Sequence, residues 1–430
     1  MKRILTILSA VMMLSACGTT KNLYKWEKDA VSPIADAAIC YGGHSARNPY
    51  LWTEERFEKT VAYTDENGQE HWLFDNMIMM ELWDDDFKVT YSIANDGRYS
   101  SRKEHWQRQL DYWFDAENGF AALDRCVENV AKRIGKPSSK RGIIFSLPDP
   151  VYFEHYTNAM KGVNRNTVYW GEIDGVALDF AKPEDRVKAY KWLVDAVRAK
   201  FAEAKYKNVE LIGFYVLSEE LSVPGSFRYE YKQHDITIKA VADYCHSLNE
   251  GFYWVPYAMA PGVERGKDFG FDQVVMQPNY YWTDAKWSWD QIENTIRKHG
   301  LGMELEFEGT HGEPLTSSIL SNLKNGQPNP YSARNKARFQ EYLDNARSRG
   351  LYGEVSFVLY AGTNGLYELA VSEDPADREM YHKLCHFIIE NPLKSNKIAT
   401  AFGLAMTYSN TLYHYIQRRR YVITRSGATW

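Results

Sequence analysis

The stretch Leu301-Gly302-Met303-Glu304-Leu305-Glu306-Phe307-Glu308-Gly309 alternates apolar and acidic side chains. In an extended chain successive side chains point to opposite faces. Leu301, Met303, Leu305 and Phe307 therefore form one apolar face, and Glu304, Glu306 and Glu308 form the other. An acidic row turned toward a protein interior is costly unless its charges have partners, shifted pKa values or a chemical task. The alternative is a half-exposed strand with its acidic face in water. Glu306 is the carboxylate nearest the end of such a strand that still lies inside it, and Glu308 is next in line.

Seven further short apolar runs accompany this one. They are Ala37-Ala38-Ile39-Cys40-Tyr41, Met77-Ile78-Met79-Met80, Gly142-Ile143-Ile144-Phe145-Ser146-Leu147, Val209 to Leu217, Phe252-Tyr253-Trp254-Val255-Pro256, Gln273-Val274-Val275-Met276 and Val355-Ser356-Phe357-Val358-Leu359-Tyr360. Segments with helical periodicity lie near 102–133, 184–204, 235–249, 288–299, 332–349 and 376–390. Short apolar strands separated by helices read as parallel strands covered on both faces. Eight of them predict an α/β fold, a (β/α)8 TIM barrel, over residues 35–390. A ninth run, Ile173-Asp174-Gly175-Val176-Ala177-Leu178-Asp179-Phe180, is placed as an excursion between the third and fourth strands. The chain has no GxGxxG or Walker fingerprint, which argues against a doubly wound nucleotide-binding sheet.

Composition narrows the function classes. The 430 residues carry 51 Lys+Arg against 56 Asp+Glu, a net charge of −5. No basic excess exists to neutralise nucleic-acid phosphates. The 13 Trp and 30 Tyr are the outlier; such rings suit stacking on sugars, and equally a core. From Asn391 to Trp430 the chain has no acidic residue but includes Arg418-Arg419-Arg420, and reads as a C-terminal helix or a basic surface tail.

Lys2 and Arg3 precede an apolar run, Ile4 to Leu14, too short to span a bilayer. The following Leu14-Ser15-Ala16-Cys17 resembles a bacterial lipobox. That resemblance implies cleavage before Cys17, lipidation of Cys17, and an extracytoplasmic protein held by lipid to a bacterial membrane, at the outer membrane or cell surface. Residues 1–16 would be the signal and 17–34 a tether; a plain secretory signal is the alternative. Cys40, Cys126, Cys245 and Cys385 lack CxxC spacing and read as buried thiols rather than metal ligands.

In barrels of this kind the chemistry sits at the C-terminal ends of the strands. The fourth run ends Gly213-Phe214-Tyr215-Val216-Leu217-Ser218-Glu219-Glu220. By alternation Ile212, Phe214 and Val216 share one face, while Gly213, Tyr215, Leu217 and then Glu219 share the other. Glu219 is thus directed over the mouth and Glu220 away from it, if the alternation survives the turn. Around the same mouth lie His44 and Arg47 after the first run, Tyr257 after the fifth, and Gln277, Asn279, Tyr280 and Trp282 after the sixth. Tyr360 closes the eighth. Trp282, with Trp287 and Trp289, could stack on a sugar or pack a helix on the barrel.

A carboxyl group after the fourth strand and another after the seventh resembles the large clan of retaining glycoside hydrolases built on this barrel. The resemblance implies Glu219 as acid/base and Glu306 as nucleophile, with Tyr280 touching the nucleophile. Ser218 stands where that clan carries Asn. Such enzymes need one protonated and one ionised carboxyl group about 5–5.5 Å apart. Trp72-Leu73-Phe74-Asp75, Gly213-Phe214-Tyr215 with Glu219, Val255-Pro256-Tyr257, Gly270-Phe271-Asp272 with Gln277-Pro278-Asn279-Tyr280, and Glu304-Leu305-Glu306-Phe307 together resemble an uncharacterised family of secreted bacterial proteins, common in Bacteroidetes. That family implies the barrel and a glycan context without naming a reaction.

The expectation is a glycoside hydrolase acting on a poly- or oligosaccharide. It has two catalytic glutamates and uses no cofactor or metal. The alternative is a surface lipoprotein that binds glycans on the same scaffold without cleaving them. His382 and His386 read as surface histidines, Asp84-Asp85-Asp86 as a solvated acidic turn, and no GxSxG elbow occurs.

Overall fold

The computed structural model describes residues 34–44, 50–84, 89–92, 99–150, 168–226, 233–281, 287–307, 332–362 and 365–394. Eight parallel strands close into a barrel: β1 (Asp36–Tyr41), β2 (Asn76–Met80), β3 (Arg141–Leu147), β4 (Val209–Val216), β5 (Gly251–Trp254), β6 (Gln273–Met276), β7 (Gly302–Glu306) and β8 (Phe357–Tyr360). Each strand pairs with its sequence neighbours, and β1 closes on β8 with Asp36 opposite Phe357. The expected barrel and its eight runs are found in the expected order. Strands such as β2 and β3 are buried throughout, because helices cover the outer face while side chains fill the inside.

The α-helices among the described residues are α1 (Glu54–Val61), α2 (Lys103–Trp113), α3 (Gly119–Ile134), α4 (Pro183–Ala204), α5 (His234–Ser247), α6 (Trp289–His299), α7 (Ser332–Ser348), α8 (Gly365–Val371) and α9 (Pro375–Ile389). Local chemistry sets their ends. Ser288 accepts from the Gln291 N–H to start α6, and Gly300 ends it in the left-handed region. The single helix read over 102–133 is two. The carboxylate of Asp115 accepts from the N–H groups of Glu117 and Asn118, which diverts the chain. Gly119 then turns with φ +56, where a Cβ would lie 2.3 Å from the Trp113 carbonyl.

The ninth run does leave the barrel. It is an antiparallel hairpin, Tyr169–Ile173 with Val176–Asp179, turning at Asp174-Gly175 with both φ angles positive. β4 contains a bulge: Leu211 faces Ile143 and Gly213 faces Ile144, so Ile212 is the extra residue. The alternation therefore breaks at Ile212, which does not continue the Phe214 and Val216 face.

The lower end of the barrel is sealed by charge. Asp36 accepts from the Asp75 N–H at 2.8 Å and pairs with Lys394 Nζ at 2.8 Å. Arg141 meets Asp75 at 3.0 Å and lies over the Trp72 ring. Asn391 and Lys394 thus belong to the barrel body, a few residues beyond the boundary expected at 390. Trp106, Trp113, Trp170 and Trp254 are fully buried, so part of the aromatic excess is core. Cys40, Cys126, Cys245 and Cys385 are buried free thiols. Among the described residues no helix is long and apolar enough to cross a membrane.

Candidate active site

β7 lies between β6 and β8, with Glu304 opposite Val358 and Glu306 opposite Tyr360. Its apolar face packs outward, where Phe307, the next residue, meets Phe339 of α7 at 5.1 Å. Glu304 and Glu306 are correspondingly buried, 3% and 1% exposed, which excludes a strand with its acidic face in water. Glu306 Oε2 accepts a hydrogen bond from the Tyr342 hydroxyl on α7. The Tyr342 oxygen in turn accepts the Tyr281 N–H at 3.2 Å, which ties α7 to the loop after β6. Glu304 sits well above the usual carboxylate range. Burial is the main cause, and the charges of Glu306 and Glu219 push in the same direction.

The end of β4 is shaped by two hydrogen bonds. Trp254 Nε1 donates to the Ser218 carbonyl at 2.6 Å, and Ser218 Oγ donates to the Glu220 carbonyl at 2.7 Å. This turn stops the strand alternation, so Glu220 does not point away. Its Oε2 accepts from the Tyr257 hydroxyl at 2.9 Å. Burial and then Glu220 raise Tyr257 to about 12. Glu219 is half-buried, and its charge is felt by Glu304, Tyr257 and the buried Tyr215. Glu219, Glu304 and Glu306, from opposite sides of the barrel, therefore converge at one mouth.

The other rim residues divide by what they touch. Gln277 Nε2 donates to the Val255 carbonyl at 3.0 Å, and Asn279 accepts from the Ala258 N–H at 3.1 Å. Both amides brace the loops after β5 and β6. Tyr280 does not contact Glu306: its hydroxyl donates to Glu341 on α7, and Tyr342 takes the place expected for it. Trp289 is packed between Tyr280 and Tyr342, so it is a helix–barrel contact rather than a platform; Trp287 is half-buried against the same core. Tyr360 is half-buried and meets Tyr41 edge-on at 6.1 Å. His44 is exposed beyond β1, and its N–H donates to Glu81 at 2.8 Å. Cys17, Arg47, Trp282 and Glu308 lie outside the described residues.

Sequence reading missed four residues here. Glu81 and Asp149 follow β2 and β3, and both are buried. Proximity to a strand end, the signal that flagged Glu219, could have found them. Tyr342 and Glu341 sit on a helix, where nothing in the local pattern marks them. Burial pushes Glu81 up to about 7, against the lowering effect of its hydrogen bonds from His44. Asp84 is not solvated: it is buried, with Arg108 at 3.0 Å and the Tyr91 hydroxyl at 3.2 Å. Asp85 and Asp86 lie outside the described residues. On the outer wall His382 meets the Tyr63 hydroxyl at 2.5 Å and His386 meets Glu66 at 3.0 Å, so both histidines are engaged rather than free on the surface.

Fold and site together define the class: a parallel (β/α)8 barrel whose C-terminal mouth gathers carboxyl groups from opposite strands. The chain belongs to the family described as Domain of unknown function (DUF4855), which matches residues 36–386. Solved structures similar to it include a family 5 glycoside hydrolase from Prevotella bryantii, at 11% identity and TM-score 0.38, covering 82% of this chain and 96% of that one. A Group IV chitinase from Ostrinia furnacalis is 10% identical with TM-score 0.39, covering 82% and 97%. The tryptophan synthase α-subunit of Pyrococcus furiosus is also 10% identical, with TM-score 0.34, covering 84% and 98%. No protein of curated function matches. At such values none of the neighbours' chemistry transfers, and the mouth is read from its own residues.

Proposed function

We propose that the protein is a glycoside hydrolase acting on a poly- or oligosaccharide, with Glu219 as acid/base and Glu306 as nucleophile. The observation that carries this reading is the convergence of Glu219, Glu304 and Glu306 at the strand ends, where the charges of two of them bear on the third. Glu219 protonates the glycosidic oxygen as the Glu306 carboxylate attacks the anomeric carbon. The bond to the leaving sugar breaks, and a glycosyl ester forms on Glu306. Water then gives a proton to Glu219 and its oxygen to the anomeric carbon, which releases Glu306. The Tyr342 hydroxyl donates to Glu306 and orients it. Burial and the charges of Glu306 and Glu219 raise Glu304, which disfavours a second charge beside the nucleophile. The Cys17 lipid would place this mouth outside the cytoplasm, on a membrane surface.

The test is a hydrolysis screen over bacterial, host and plant glycans, with wild type beside Glu306→Gln. Sugar release by wild type alone supports the assignment, and retention of the anomeric configuration in the first product, read by NMR, supports the covalent route. Equal release by both proteins overturns Glu306 as nucleophile. Binding of a glycan by wild type without cleavage would favour a carbohydrate-binding protein on this scaffold.

A further inference from the structure

The mouth holds a second group of side chains, away from β4 and β7. His44 follows β1, Glu81 directly follows β2, and Asp84 lies in the short strand Trp83–Asp84. One ligand-capable atom from each lies within 4.8 Å of the other two. We propose that His44, Glu81 and Asp84 form a binding site for a divalent cation of the zinc or manganese type.

The carboxylate of Glu81 is the central observation. It is fully buried; Oε1 accepts the His44 N–H at 2.8 Å, but among the described residues Oε2 has no hydrogen-bond partner. A buried carboxylate oxygen without a donor is costly, and native structures rarely leave one. A cation beside it removes that cost. The backbone is shaped around the same group: a Cβ on Gly43 would fall 1.8 Å from Glu81 Oε1, and Gly43 has φ +107. Only glycine allows the carboxylate to lie there.

The other two ligands complete the geometry. Asp84 is buried and held from both sides, by Arg108 Nη2 on one oxygen and the Tyr91 hydroxyl on the other. These contacts fix the orientation of the Asp84 carboxylate. The Tyr91 hydroxyl is positioned by the His105 carbonyl, to which it lies 2.8 Å away. The His44 ring is on the solvent side and packs edge-on against Tyr112, 5.6 Å between centroids. It is the solvent-facing ligand of the three.

The donor set selects the ion. Calcium takes six to eight oxygens, whereas one imidazole nitrogen with two carboxylates suits zinc or manganese. Ligands about 2.0–2.2 Å from zinc are roughly 3–4 Å apart, so the three side chains need only a small inward movement. Bound there, the ion would tie the segments after β1 and β2 together at the mouth.

The test uses the full chain, stripped with chelator and titrated calorimetrically with zinc and manganese chlorides, with bound metal counted by elemental analysis. One ion per chain, with a rise in melting temperature, is expected. Glu81→Gln and His44→Ala should each weaken binding at least tenfold. His44 is exposed, so its variant reports on the site even if Glu81→Gln folds poorly. His382→Ala, on the outer wall, should leave binding unchanged. Failure of the stripped wild type to bind zinc or manganese, or binding undiminished in His44→Ala and Glu81→Gln, overturns the proposal. The readout needs no glycan, so it stands or falls apart from the hydrolase reading.

Discussion

The two ends of the barrel bury carboxyl groups in opposite ways. At the lower end Asp36 and Asp75 meet cations, Lys394 at 2.8 Å and Arg141 at 3.0 Å. Burial and the charge of Asp75 still raise Asp36, but the charge and hydrogen bond of Lys394 pull it back. At the mouth, every cause acting on Glu304 has one sign: burial, Glu306 and Glu219 all raise it. The lower end is compensated and therefore reads as structure. The mouth keeps like charges close together, and the resulting shift falls on Glu304.

The strongest test of that contrast is chemical. Glu306→Gln should lower turnover of a cleaved glycan at least 10³-fold, about 4 kcal/mol in the barrier, while the fold survives. Full turnover in a folded Glu306→Gln protein would remove the mouth's claim to chemistry. At the lower end Lys394→Met should cost about 3–5 kcal/mol in urea unfolding, because it leaves a buried carboxylate without its partner. Adding Asp36→Asn should restore much of that loss. A cost below about 1 kcal/mol for Lys394→Met would put the pair among exposed ones.

Smaller effects sharpen the picture. Tyr342→Phe removes a donor to Glu306, worth about tenfold in turnover. Losing a hydrogen bond to the charged form raises the pKa of Glu306, so the acid limb of the rate profile should move to higher pH. An unchanged acid limb would make Tyr342 a packing residue only. Glu304→Gln should give the smallest change, seen in the pH dependence of melting. The folded pKa of Glu304 is raised above its usual 4.5, so its stabilising contribution is full below that pH and is lost as pH rises toward the folded value. The melting advantage of the Gln variant should therefore grow between pH 4.5 and 8, and a pH-independent difference would contradict the shift.

Much of the barrel was legible from local pattern. The alternation from Leu301 to Glu308 announced a strand with an acidic face, and Glu219 was marked by its place after an apolar run. The helix break at Asp115 and Gly119 was harder to read, because it depends on side-chain hydrogen bonds and one positive φ. The bulge at Ile212 was invisible, since only pairing with β3 reveals the extra residue.

The sequence by itself determined the number and order of the barrel strands and the presence of an acidic face on the seventh. Those features arise from period-two alternation and from the spacing of helices, which are properties of neighbouring residues. Only the tertiary structure decided which group meets each carboxylate: Tyr342 for Glu306, Tyr257 for Glu220, Lys394 for Asp36, and His44 for Glu81. These partners lie between 36 and 358 positions away along the chain. They meet because the barrel closes, and closure depends on all the strands together.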